Sequence, residues 1–307
     1  MHARHNRHRG WNPFWAALGA ALLVLLPLVG GTVLLSRQQL TRQLRQAARS
    51  QQGIAVQLPR ESDRLTVLLC TAGEQPGFLL AYLNASQNCL HLLAVPAGLQ
   101  VTFADEEATL ADCYAAAGPA RCRQALAECL PLPEDTRYLA LSAAVLERIA
   151  ARYGPVRVGF SGAMTAAELA RYGRDSRVQG LSAAEAHSFL SGMDADAVVP
   201  QAHRAAARGA VWDAFFRQNL DLLPASLPQA LRSVSSSLLT DLTALDLDAL
   251  ERTLEFLANN EAQIETQTLP GTECAGRYAL SEDSLAAVQS FFNISPTEGR
   301  ASSAREP

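Results

Sequence analysis

From Asp63 onward, apolar and polar positions fall into blocks that predict a mixed sheet flanked by helices. Leu65-Thr-Val-Leu-Leu69 is a short buried-strand pattern. Two further apolar runs, Phe78–Leu83 and Leu90–Val95, are separated by Asn84-Ala-Ser-Gln-Asn88, whose turn composition predicts a β-hairpin. The period then lengthens: Ala108–Ala117 and Ala120–Leu130 read as helices on either side of Gly118-Pro119. Tyr138–Leu141 is a strand, and Ser142 caps a helix with Val145, Leu146 and Ile149 on one face. That helix ends at Gly154, and Val156–Phe160 forms another strand. Ser182-Ala-Ala-Glu185 is a capping box opening a helix through Leu190, and a longer helix runs from Ala202 to Asn219. Asp246 is read as the cap of a helix carrying Leu247, Leu250, Leu254 and Leu257. Ile264–Leu269 is strand-like, and Ser281 starts a last helix to Phe292. Strands alternating with helices after an opening hairpin predict an α/β class: a three-layer α-β-α domain with a central mixed sheet.

The N-terminal part has a different texture. Gly10 to Ser36 is 27 residues without a charge. As a helix this stretch covers roughly 40 Å, enough to cross a bilayer core of about 30 Å. Trp11 and Trp15 lie at its start, where amphipathic rings favour the headgroup region. The run is longer than the apolar part of a cleavable signal and no small-x-small site follows it, so a retained anchor is expected. The predicted organisation is a basic cytoplasmic tail (1–10), one transmembrane helix (11–36), a juxtamembrane linker or helix (37–62), the α/β domain (63–293) and a disordered tail (294–307).

Charge sharpens this division. All 26 basic residues are arginine, which excludes a lysine-bearing phosphate loop, Schiff-base chemistry on lysine and a serine–lysine pair. No acid precedes Glu61, so residues 1–60 carry +8; the other 18 arginines against 30 acids give −12. An acidic domain without a DNA-binding motif argues against nucleic acid as partner. Three arginines precede the apolar stretch and four follow within 13 residues, so local charge leaves its orientation open. The six cysteines form no C-x-x-C pair. Cys113, Cys122 and Cys129 are spaced either for one local bridge in an oxidising compartment or as small buried apolar residues. No histidine ligand spacing is present, and Gly159-Phe-Ser-Gly162 lacks the last glycine of a nucleophile elbow.

Five stretches nevertheless resemble, in order, the LytR–CpsA–Psr family of envelope proteins. Asp63–Cys70 is similar to its first strand, and the hairpin closing at Val95-Pro96 to the strand before its I-P-R-D motif. Ala108–Gly118 is similar to its K-I-N-x-A-Y-x-x-G-G helix start, and Tyr138–Val158 to its strand–helix–G-G-V–strand unit. Val234–Asp241, Thr268-Leu-Pro-Gly271 and Gly276-Arg-Tyr278 resemble its closing helix and L-P-G loop. The resemblance implies a domain facing outward from a single-pass anchor with a cytoplasmic N-terminus. It also implies transfer of polyprenyl-phosphate-linked glycopolymers to peptidoglycan with Mg²⁺, arginines holding the phosphates, carboxylates the metal and an apolar tunnel the lipid.

The chain departs from the family where that chemistry sits. I-P-R-D is Val95-Pro96-Ala97-Gly98 here, R-S-D-T is Glu74-Gln75-Pro76-Gly77, and A-Y-x-R-x-R is Ser188–Met193. In the D-x-x-R-x-x-R-Q segment only Arg204 stays in register, with Gln201 at the other arginine position. No catalytic residue and no metal ligand is assigned. Arg204, Arg208, Asp194 and Asp196 are the candidate ligand-binding residues, and Arg174, Arg177 and Arg208 the candidates for a compensating arginine pocket. The expectation is an envelope-assembly protein without efficient catalysis and without a cofactor. Its expected partners are a membrane lipid or polyprenyl-linked glycopolymer, with peptidoglycan or another envelope enzyme as further partners. Two rivals stand beside it: an active phosphotransferase with a rearranged pocket and Mg²⁺, and a transcriptional attenuator.

Overall fold

The computed structural model describes residues 59–292, apart from 61, 74 and 176. The predicted tail 1–10, transmembrane helix 11–36, almost all of the linker 37–62 and the tail 294–307 lie outside the described residues. Among the described residues, no helix is long and apolar enough to cross a membrane.

Three strands open the domain: β1 (Arg64–Thr71), β2 (Gly77–Asn84) and β3 (Cys89–Val95). A small hairpin, β4 (Gln100–Phe103) and β5 (Glu106–Thr109), leads into α1 (Leu110–Cys129). Then come β6 (Arg137–Leu141), α2 (Ala143–Ala150), β7 (Val156–Val158), α3 (Ala166–Arg171) and β8 (Gln179–Leu181). Next are the helices α4 (Ala183–Asp194), α5 (Gln201–Asn219) and α6 (Leu223–Ser233). The chain closes with β9 (Leu239–Thr240), α7 (Ala244–Asn259), β10 (Gln263–Thr268), the hairpin β11 (Thr272–Cys274)–β12 (Arg277–Ala279), and α8 (Glu282–Phe291).

The main sheet has six strands in the order β10-β3-β2-β1-β6-β9, and it is mixed: β1 pairs antiparallel with β2 and parallel with β6. Every residue of β2 and β3 is buried, because helices cover both faces; this is why those strands read as unbroken apolar runs. Period-two alternation sends Leu65, Val67 and Leu69 to one face, against α2, α5, α6 and α7. Leu68 and Cys70 go to the other, against α1 and α8. The expected three layers are therefore present. A third apolar cluster joins β7, β8, α3 and α4 to the first half of α5.

Three local expectations are corrected. Asp246 is not the cap of α7; Thr243 is, and Asp246 sits three residues in, where its carboxylate accepts from the Thr243 amide. The strand at Val156 ends at Val158 and pairs with β8, outside the main sheet. Val234–Asp241 is not helical: its three serines form one 3₁₀ turn before edge strand β9. The helix lies one step earlier as α6, hidden in the pattern by Pro224 and Pro228. By contrast, the expected break in α1 is there: Gly118 has φ 76°, and Pro119 has no amide hydrogen to continue the ladder.

Candidate functional site

The apolar face under α5 is not filled. A cavity of about 140 Å³ lies between the sheet and helices α2, α4, α5, α6 and α7. Its floor is Leu65, Val67, Leu69, Ala81 and Leu83, and its roof is built mainly from Trp212, Phe215 and Phe216 of α5. Trp212 and Phe215 meet edge to face at 5.8 Å, and Tyr153 closes on Phe215 at 5.1 Å. At one end the lining turns polar, at Thr71, Gln75, Ser191, Asp194 and Arg208.

Helix α5 builds that polar end with a single stripe. Gln201, Arg204 and Arg208 stand at i, i+3 and i+7, so one helix face presents all three. Arg208 is only 2% exposed and is ion-paired with Asp194, the last residue of α4, itself 9% exposed. Arg204 donates to the Asp194 carbonyl at 2.8 Å. Burial pushes the Asp194 carboxyl above the usual aspartate range; the nearby Arg208, Arg204 and His187 charges only moderate the rise. The Nε atoms of Arg204 and Arg208 are buried without a hydrogen-bond partner.

Gln201 does the corresponding work at the I-P-R-D-like turn. Its Oε1 accepts from the Gly98 amide at 2.8 Å and its Nε2 donates to the Gly276 carbonyl at 2.7 Å. Its own amide donates to the Glu273 carboxylate at 2.8 Å. The helix thus ties its start to the β3–β4 turn and to the β11–β12 hairpin. Two glycines permit this. A Cβ at Gly98 would run into the Gln201 amide, and one at Gly77 would run into the Arg208 guanidinium. Both obstructing groups end flexible side chains, but both side chains are buried, so neither swings aside freely.

The four candidates therefore separate. Asp194 and Arg208 come together at the polar end of the cavity, and Arg204, which does not line it, holds the Asp194 carbonyl. Asp196 does not join them: it binds Arg171 at 2.7 Å and the Tyr172 hydroxyl at 2.9 Å, and accepts from the Val198 amide at 3.0 Å. Those three partners, the Arg171 guanidinium first, hold its carboxyl down at about 2. The compensating arginine pocket does not form either. Arg174 bonds Gln179 and lies over the Phe189 ring, while Arg177 pairs with Asp175 on the surface. Only Arg208 of the three lines the cavity. For Mg²⁺ the donor set is a poor fit, because among the described residues Asp194 is the one acid in the cavity lining and Arg208 engages it. Among the described residues no cluster of three or more His, Cys, Asp or Glu could hold a metal ion.

Gln201, Gly98 and Gly77 all stand among the motif departures visible in the sequence, whereas the aromatic roof was not anticipated. A signal for the roof was present, since Trp212, Phe215 and Phe216 fall on the apolar stripe of α5.

No protein-family model matches the chain, and no curated protein matches its sequence. Solved structures do match its fold. A LytR-Csp2A-Psr enzyme from Actinomyces oris is 19% identical with a TM-score of 0.57, over 76% of this chain and 93% of that one. TagT bound to LIIa-WTA is 15% identical with a TM-score of 0.59, covering 80% of this chain and 98% of that one. A putative transcription regulator from Eubacterium siraeum reaches a TM-score of 0.63 at 13% identity, over 79% and 96%. The domain has the LytR–CpsA–Psr fold, as its segment order implies.

Proposed function

We propose that this protein serves cell-envelope assembly as a binder of a polyprenyl-linked glycopolymer, anchored by its N-terminal apolar stretch with the domain outside the membrane, and that it lacks efficient transfer activity. The apolar cavity supports the lipid half of this reading. Its volume has room for a few carbons, of the order of one isoprene unit, so a longer chain requires the cavity to widen or the chain to run out of it. The polar end supports the non-catalytic half, and one observation carries it: the groups of α5 that face the family's phosphate motifs are engaged by the protein itself. Arg208 is neutralised by Asp194, and Gln201 spends its amide on Gly98 and Gly276. Stabilising a developing phosphate charge needs preorganised cationic donors aimed at the ligand, and losing one costs orders of magnitude in rate.

The test uses the full chain in detergent with polyprenyl phosphate and polyprenyl pyrophosphate, with and without Mg²⁺. Binding without phosphate release is the expected result. Release that disappears in Arg204→Ala overturns the non-catalytic reading in favour of the transferase. Absence of binding by either lipid overturns the lipid reading. A topology reporter fused after Pro307 that is active only in the cytoplasm overturns the extracytoplasmic placement.

A further inference from the structure

The cavity face does not use the cysteines: Cys70, Cys89, Cys113, Cys122 and Cys129 gather on the other side of the sheet, and Cys274 is exposed on the β11–β12 hairpin. Cys113 and Cys122 are both fully buried within one cluster, on the two halves of α1 separated by the Gly118 break. Helical side chains lean towards the N-terminus, so the Cys113 thiol lies over the turn that begins at Leu110. Cys122 reaches the same turn from the other half, with its Sγ 3.5 Å from the Leu110 carbonyl oxygen. Both thiols are thus brought to one turn, close enough for each to act on the other's ionisation. The bend at Gly118, φ 76° and ψ −173°, folds the second half back so that residues nine apart meet. In a continuous helix nine residues would separate them by roughly 13 Å.

We propose that Cys113 and Cys122 are an oxidation site, joining in an intramolecular disulfide that staples the two halves of α1 together. The oxidant is a disulfide of the thiol-exchange class, small or protein-borne. One cysteine thiolate attacks a sulfur of that disulfide and forms a mixed disulfide. The oxidant's S–S bond breaks in that step and its other sulfur leaves as a thiol. The second thiolate then attacks the first cysteine's sulfur, forming the new S–S bond and expelling the oxidant's remaining sulfur; the two thiols, one dithiol where both sulfurs belong to one molecule, carry away both protons and both electrons. Both side chains are fully buried once α1 is docked, out of reach of an oxidant, and burial also raises both thiols above the usual cysteine range; the bond therefore forms as the chain folds. Only the supply of oxidant in the cell rests on the extracytoplasmic reading of the domain.

The experiment keeps the two readings apart by supplying the oxidant. The detergent-solubilised chain is unfolded, refolded in mixed reduced and oxidised glutathione or in reduced glutathione alone, and alkylated. It is then cut with trypsin and chymotrypsin for mass spectrometry. The oxidised sample is expected to lose two of its six free thiols, to yield a peptide joining Cys113 to Cys122, and to melt on the order of 5 °C higher. The shift should vanish in Cys122→Ala and persist in Cys274→Ser. Six alkylated thiols after oxidative refolding, or a bridge from Cys122 to Cys70 instead, overturns the proposal. A bridge that forms in vitro but is missing from protein made in cells counts against the placement of the domain, not against the pair.

Discussion

The two faces of the sheet draw on the same strands and reach different packing. On one side Leu68, Cys70, Phe78 and Leu80 meet α1 and α8 in a cluster that includes Cys113, Cys122, Leu126 and Phe292, all fully buried. On the other, Leu65, Val67, Leu69 and Ala81 meet a roof of large aromatics on α5 that stands clear of them and leaves the cavity. A methyl floor at Ala81 under a rigid aromatic roof leaves a gap, because Trp212 and Phe215 are braced against each other and cannot sink into it. The packed face holds the domain together. The open face gives up some dispersion energy and keeps room for a guest.

The largest way to break this contrast is at the polar end of the open face. Asp194→Ala leaves Arg208 buried without its counter-charge, and the domain should lose about 3–5 kcal/mol, read as a lower urea midpoint at unchanged slope. A loss below about 1 kcal/mol would mean that water reaches the pair and the end of the cavity is not sealed. Next comes a matched pair of enlargements. Ala125→Leu on the packed face should cost about 1–3 kcal/mol through overpacking, whereas Ala81→Leu should be close to neutral in stability and abolish binding of a short isoprenoid. Equal costs at the two alanines would erase the distinction between the faces.

Smaller effects test the frame around the open face. Thr243→Ala removes the cap of α7, which covers that face, and should cost about 1 kcal/mol by thermal unfolding. The smallest is Asp196, which lies apart from the cavity. Its carboxyl is held at about 2, so its contribution is present above the ordinary aspartate pKa and is lost as pH falls towards about 2. Asp196→Asn should flatten the melting-temperature profile in that acid window and leave neutral-pH lipid binding unchanged. Altered lipid binding would place Asp196 in the site after all.

The sheet and most helices were legible because burial leaves a periodic trace: Leu65–Leu69, the hairpin, Ser142 and the Ser182 capping box lie where the pattern put them. Errors arose where local chemistry competes with period. Pro224 and Pro228 masked α6, and an aspartate three residues inside a helix looked like its cap because both cap and reciprocal acid carry oxygen acceptors. The site was half legible. The stripe Gln201–Arg204–Arg208 follows from helical spacing, but the partner of each residue comes from another segment: Asp194 from α4, Gly98 from a turn, Gly276 from a hairpin tip. Asp194 and Asp196 are two residues apart in sequence, yet one ends α4 inside the protein and the other turns outward to Arg171.

The two glycines beside α5 also constrain how this chain can change. A carboxylate at Gly98, or a hydroxyl-bearing side chain at Gly77, would have to enter space held by Gln201 or Arg208. Neither glycine can be altered first without a clash, and neither α5 residue can be trimmed first without stranding a backbone amide or a buried acid. Any change that brings a side chain to Gly98 or Gly77 therefore runs through paired substitutions made together. A library that varies these positions singly would find nothing, whereas one that varies Gly98 with Gln201, and Gly77 with Arg208 and Asp194, has a path.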